Sequence, residues 1–161
     1  MNGKWKVDTR EYQKRVNYVV NVLDGMGSML GVRPAERGRN IWAHSFREWN
    51  ERADALTHIA RNGGSYDSWV YLDTWEILVY SPVLLRGGFD GGVDRRGTGC
   101  GCWLEVGLKS KYHEELFVTY REVFSSAWTL GPGATVTDAE LSAAERLVEI
   151  LPQVIQSLWC D

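Results

Sequence analysis

The sequence predicts a mixed α/β domain built around one sheet, and three observations carry that expectation. Two short strand–helix pairs open the chain, with strands over Trp5–Asp8 and Asn40–His44. Three further strand candidates follow, over Val83–Phe89, Cys100–Val106 and residues 116–128. A long amphipathic helix then closes the chain. Strands and helices mixed in this way over 161 residues make one domain with a substantial core and helices packed on the sheet's faces.

Each element has a local reason. Thr9 is placed to cap the first helix. There Tyr12, Val16, Val19, Val20 and Leu23 recur at helical spacing, and Gly25 and Gly27 mark a stop. Residues 26–38 read as a loop. Asn50 caps a second helix, Glu51 to about Arg61, with Ala53, Leu56 and Ala60 on one side. Asn62-Gly63-Gly64 ends it. Residues 65–82 are dense in apolar side chains, among them Trp69, Trp75, Ile77 and Tyr80, but have no clean period. Helix, strand and ordered linker all stay open there, with partial burial and an end at Pro82.

The strand Val83–Phe89 delivers Asp90 into a glycine-rich stretch, Gly87, Gly88, Gly91 and Gly92. Gly97-Thr98-Gly99 is expected to turn the chain. Cys100, Cys102, Leu104 and Val106 alternate with Gly101, Trp103 and Glu105, as a strand does. Lys109–Glu115 reads as a polar hairpin segment, and Gly131-Pro132-Gly133 as a break. Thr137-Asp138-Ala139-Glu140 has the form of a capping box. Behind it Leu141, Ala144, Leu147, Val148 and Leu151 form an apolar face, and Pro152 ends or kinks the helix.

Composition narrows the function. The formal net charge of −3 argues against a sequence-independent nucleic-acid coat, which needs a strong positive field. It is compatible with a nuclease whose acidic site lowers the total, and Arg33, Arg37, Arg39, Arg47 and Arg52 give a local basic excess. Eight tryptophans are many for this length, and core is their default place. Cys100, Cys102 and Cys160 lack partners at zinc spacing, and an odd count suits a reducing compartment. No apolar run spans a membrane, and the first residues have no secretion signal. An intracellular protein, in cytoplasm or nucleus, is expected.

The acids fall at suggestive places. Asp8 and Asp90 each end a predicted strand, while Asp54 and Glu140 lie in first turns of helices. Such ends can converge on one point. Like charges held close repel, so a cluster of this kind is stable mainly when divalent cations neutralise it. Hard carboxylate oxygens select Mg²⁺ or Mn²⁺. Each acid also has a plainer reading: Asp90-Gly91 as a turn, Glu140 as the capping-box acid, Asp54 as a favourable first-turn acid. His44 at a strand end is equally at home as a hydrogen-bonded structural residue.

Taken together, these stretches resemble type 1 ribonuclease H. His44-Ser-Phe-Arg-Glu-Trp-Asn50-Glu51-Arg52-Ala53-Asp54 resembles that family's last motif, a His ten residues before an Asp, with Asn-Glu-Arg-x-Asp opening the final helix. Phe89-Asp90-Gly91-Gly92 and the strand around Cys100 resemble its first strand and hairpin. Thr135–Leu141 resembles the start of its first long helix, with Glu140 at the catalytic Glu. Val7-Asp8-Thr9 resembles its strand-ending Asp-Ser/Thr, and the Tyr18 segment the helix after it. The order is rotated: Asp8, His44 with Asp54, Asp90, then Glu140. The chain therefore resembles a circular permutant. Residues 1–62 correspond to the family's C-terminal half, 63–82 to a joining segment and 83–161 to the N-terminal half, all in one domain. About 20 residues easily span nearby termini at roughly 3.3 Å each.

The resemblance implies a ribonuclease H-like fold, circularly permuted, with a mixed sheet of about five strands. It implies a metal-dependent endonuclease that hydrolyses the RNA strand of RNA–DNA hybrids. Two Mg²⁺ ions, or Mn²⁺, would be held by Asp90, Glu140, Asp8 and Asp54, with His44 assisting proton movement or product release. Gly91, Gly92, Thr135, Thr137, Arg10 and Asn50 would meet the hybrid, read through its 2′-OH groups and groove shape. Val136 and Thr137 stand where the family has two Asn residues for hybrid binding, and no basic protrusion follows the Tyr18 helix. An inactive nucleic-acid or protein interaction module therefore stays open. So does a piece spanning two tandem ribonuclease H domains, from a retroelement polyprotein with a reverse transcriptase. A monomer is expected, with a dimer that exchanges halves as the alternative. An unrelated α/β domain whose acids are caps is the remaining reading.

Overall fold

The computed structural model describes residues 10–29, 50–113 and 118–159, and the side chains of 10–22 in the first of these stretches. The elements run α1 (Arg10–Met29), α2 (Glu51–Arg61), β1 (Tyr66–Trp69), α3 (Thr74–Val79), β2 (Tyr80–Asp94), β3 (Gly97–Ser110), β4 (Thr119–Trp128) and α4 (Val136–Trp159). The described strands form one open antiparallel sheet in the order β1-β4-β3-β2. The mixed α/β class follows. The strands expected at Trp5–Asp8 and Asn40–His44, with Asp8 and His44 themselves, lie outside the described residues.

β2 and β3 are one long hairpin. Adjacent strand residues point to opposite faces, so each strand serves two layers. Cys100, Cys102, Leu104 and Val106 face α4; the last three join Phe124, Leu147, Ile150 and Val154 in the largest core among the described residues, and Cys100 packs with Ala139 and Ala143. α1 packs on the same side, through Val16 and Val19 against Leu141, Ala144 and Val148. α2 lies on the other face, where Leu56 and Ala60 meet Ala127 and Trp103. Trp69, Trp103 and Trp128 are in or beside these cores. Trp75 is 68 % exposed.

Several expectations are corrected. α1 runs through Gly25 to Met29 instead of stopping at the glycines. A helical Gly costs only about 1 kcal/mol against Ala, which good neighbours outweigh. β2 does not end at Phe89: it continues through Asp90 to Asp94, with Asp90 paired to Gly101 and Gly91 to Cys100. The turn falls at Arg95–Arg96, and Gly97, at φ 125°, begins β3. Asp90 is thus neither a turn residue nor a strand end. Pro82 lies within β2, at a register shift between Pro82 and Leu84, as a proline in a strand requires. Pro152 lies inside α4, which runs on to Trp159.

The segment 65–82 resolves into two elements. β1 adds to β4 at the edge of the sheet, and α3 is a short helix. Asp73 caps α3: its side chain accepts from the Glu76 amide at 2.8 Å, and Glu76 accepts from the Asp73 amide at 3.1 Å. Glu76 is buried and ion-paired with Arg121. No described helix is long and apolar enough to cross a membrane.

Candidate functional site

β2 carries Asp90 between two helices. On one side the backbone of α4 reaches the strand at Gly91. A Cβ at Gly91 would sit 2.3 Å from the Ala139 carbonyl carbon and 2.4 Å from the Glu140 amide nitrogen. Only glycine permits that approach, and it sets the Glu140 turn against Gly91, next in chain to Asp90, whose own side chain faces α2 on the other side of the strand. On the other side Asn50, at the start of α2, donates from Nδ2 to the Phe89 carbonyl at 3.0 Å. Asn50 occupies the N-cap position without a side-chain cap bond. Its amide is used instead to pin α2 one residue before Asp90. Asp54 follows one turn into α2, its amide bonded to the Asn50 carbonyl at 3.1 Å.

Thus three of the four proposed metal-binding acids lie on elements that meet at one place on β2. Asp90, Glu140 and Asp54 are each half-buried. The described residues contain no group of three or more His, Cys, Asp or Glu side chains placed to hold a metal ion. The elements converge more closely than these carboxylates do. The donor set itself, carboxylate oxygens alone, fits Mg²⁺ or Mn²⁺ and suits a softer metal poorly.

The proposed substrate contacts divide. Gly91 leaves no room for a nucleic-acid backbone, because α4 fills that space. At Gly92 the space is taken by Arg61, whose Nη1 lies 2.5 Å from the Cβ position. Thr135 is committed to the helix start: its Oγ1 accepts from the Asp138 amide at 3.1 Å, while Asp138 Oδ2 accepts from the Thr135 amide at 2.9 Å. The capping box is therefore Thr135 with Asp138, not Thr137 with Glu140. Glu140 is released from the capping role that the sequence suggested. These bonds, first the backbone amide of Thr135, hold the Asp138 carboxyl below its ordinary value. Thr135 also meets Tyr12 Oη at 3.1 Å, and Arg15 pairs with Asp138 and Glu145, which fastens α1 to α4. Thr137 is half-buried in the first turn of α4, and Arg10 is exposed at the start of α1.

Sequence reasoning passed over two side chains of α2. His58 Nε2 lies 3.5 Å from Asp54 Oδ2, and Arg61 continues the same face toward the end of the hairpin. Their spacing from Asp54, four and seven residues, was the available signal. Arg61 Nε is 3.6 Å from Asp94 Oδ2, and Arg96 Nη2 is 2.6 Å from the same oxygen. The Arg96 hydrogen bonds, with Arg61 adding attraction, bring the Asp94 carboxyl down to about 2. Cys100 and Cys102 are free, buried thiols, pushed up to about 11 and about 12 by burial. They stay protonated at neutral pH and are not nucleophiles.

Compared with protein families, with curated proteins and with solved structures, the chain matches none.

Proposed function

We propose that this chain is a circularly permuted ribonuclease H-like domain that hydrolyses the RNA strand of RNA–DNA hybrids. The observation that supports it is the meeting of α2 and α4 on β2, with the Asn50–Phe89 bond on one side of Asp90 and the Gly91–Glu140 approach on the other. This puts the first turn of α2, which carries Asp54, and the second turn of α4, where Glu140 lies rather than in the first turn the sequence suggested, beside the strand carrying Asp90. Those three acids, with Asp8, are the proposed ligands of two Mg²⁺ ions. When bound, the ions would activate water and neutralise charge on the phosphate.

The chain's own contribution is position and charge. β2 pairs with β3 without interruption from Leu84 to Asp94, so Asp90 projects from a backbone held on one side by the ladder. Asn50 fixes the entry of α2, and Gly91 fixes the depth of α4. Without cations, these acids would repel a phosphodiester. His44 is the proposed proton carrier.

The test is cleavage of a labelled RNA–DNA hybrid by the whole chain with Mg²⁺. Asp90→Asn is expected to lower the rate by about 1,000-fold or more while keeping the wild-type unfolding midpoint, since the loss is in the chemistry. Hybrid left intact by the wild type across a wide range of Mg²⁺ and Mn²⁺ would remove the enzyme reading. An interaction module is the second reading, favoured by the use of Thr135 Oγ1 in the helix cap rather than for a ligand.

A further inference from the structure

The far end of the β2–β3 hairpin carries arginines that the acid site does not use. Arg61, from α2, lies flat along the sheet with its side chain only 12 % exposed. Its Nη1 fills the space that glycine leaves at position 92, and its buried Nε makes no hydrogen bond. Arg96, from the turn, is 43 % exposed and donates from Nη1 to Asn62 Oδ1 at 2.6 Å. Both guanidiniums approach the same oxygen, Asp94 Oδ2, so one carboxylate holds two cations. Arg95 stands exposed beside them. Three arginines against one aspartate leave a local excess of positive charge in a chain whose net charge is −3.

The placement is directional. Asp90, Gly92 and Asp94 alternate along β2 and so share one face. At about 3.3 Å per residue, Asp94 lies about 13 Å from Asp90, a span of a few nucleotides. Guanidinium groups suit phosphate oxygens through paired N–H donors. Arg96 retains donors beyond those given to Asp94 and Asn62, and Asp94 and Asn62 orient it.

We propose that Arg61, Arg95 and Arg96 form a seat for nucleic-acid backbone phosphates, a few nucleotides along the strand from Asp90; this rests on the hybrid-hydrolase reading above. The seat supplies affinity without sequence preference. It gives a role to the glycine at position 92, which admits Arg61, and to the Arg95–Arg96 turn.

The experiment is binding of a short fluorescent RNA–DNA hybrid to the whole chain, with Ca²⁺ replacing Mg²⁺, from about 50 to 200 mM salt. Wild type is compared with the double variant Arg95→Gln/Arg96→Gln and, separately, Arg61→Gln. Each is first checked for a wild-type-like circular dichroism spectrum. The double variant is expected to bind about tenfold more weakly at low salt. The slope of log affinity against log salt should flatten by about 1.8, at about 0.9 for each of two lost phosphate contacts. The double variant is the deciding one, because the Arg61 guanidinium also meets Asp94, Thr57 and His58 within the fold. Hybrid bound by wild type and double variant with equal affinity and slope overturns the seat and leaves the hydrolase reading standing. Arginine-dependent binding without cleavage in Mg²⁺ keeps the seat and removes the hydrolase. A wild type that neither binds nor cleaves removes both.

Discussion

Successive residues of β2 look onto two different environments. Leu85 and Phe89 face α4 and α1 and pack into the main apolar clusters. Asp90, Gly92 and Asp94 face α2, where the apolar contact is small, Leu56, Ala60 and Ala127 with Trp103. The remainder of that second face is charge: Arg61 with Asp94, Arg52 with Glu122, Arg86 with Glu105. The difference teaches how one strand serves stability and chemistry together. The α4 face buries the apolar surface that holds the fold. The α2 face is then free to carry acids and arginines whose desolvation a larger core would make costly.

Truncation tests the contrast most strongly. Phe124→Ala removes the largest fully buried side chain among the described residues, on the α4 face, and is expected to cost about 3–5 kcal/mol. Leu56→Ala, equally buried but in the small cluster under α2, should cost nearer 2 kcal/mol. Urea unfolding of both variants measures this. Equal losses would mean that the two layers share the stability evenly.

The neighbouring glycines sharpen the comparison. A methyl at Gly91 would collide with the backbone of α4 at Ala139, which cannot give way without moving the helix. A methyl at Gly92 would meet only the end of the Arg61 side chain, which can swing aside. Gly91→Ala should therefore lose about 1–3 kcal/mol. Gly92→Ala should lose less than about 1 kcal/mol. The order of the two unfolding midpoints decides, and a reversed order would place the rigid contact on the α2 side.

How much of this the sequence revealed depends on whether the signal was local. α2 was legible from end to end, because Ala53, Leu56 and Ala60 repeat at helical spacing and Gly63, at φ 86°, marks its stop. The alternation from Cys100 to Val106 was legible for the same reason, and those four apolar side chains are all buried. The course of β2 through Asp90 was not, since glycines carry no pattern and the pairing partner lies in β3. Residues 65–82 hid a capping box, Asp73 with Glu76, among apolar side chains that α3 leaves exposed, such as Trp75 and Ile77. Of the candidate site, the sequence offered the residue types. The convergence on β2 needed the Asn50 side chain and the backbone approach at Gly91, which are tertiary facts. Asp8 and His44 fall outside the described residues.

The smallest expected effect concerns the start of α4, where the sequence suggested a cap from Thr137 to Glu140 and the structure builds it from Thr135 to Asp138. Thr135→Ala should lower stability by about 1 kcal/mol, and Thr137→Ala by less, since Thr137 is not the cap. The acid partner adds a pH signature. The Asp138 carboxyl is held below its ordinary value of 3.8, chiefly by the Thr135 amide, with Arg15 contributing. A group whose acidity rises on folding stabilises the protein above its unfolded value, and loses that contribution as pH falls toward the folded one. The stability difference between wild type and Asp138→Asn should accordingly be full at pH 7 and shrink below about pH 4. Urea midpoints for both proteins at pH 7 and pH 3 measure it. A difference that persists unchanged at pH 3 would assign the effect to the hydrogen bonds of the cap rather than to the charge. The fastening of α4 on its stable face would then be insensitive to acid, unlike the charged network on the α2 face, where protonating Asp94 removes the carboxylate that two arginines share.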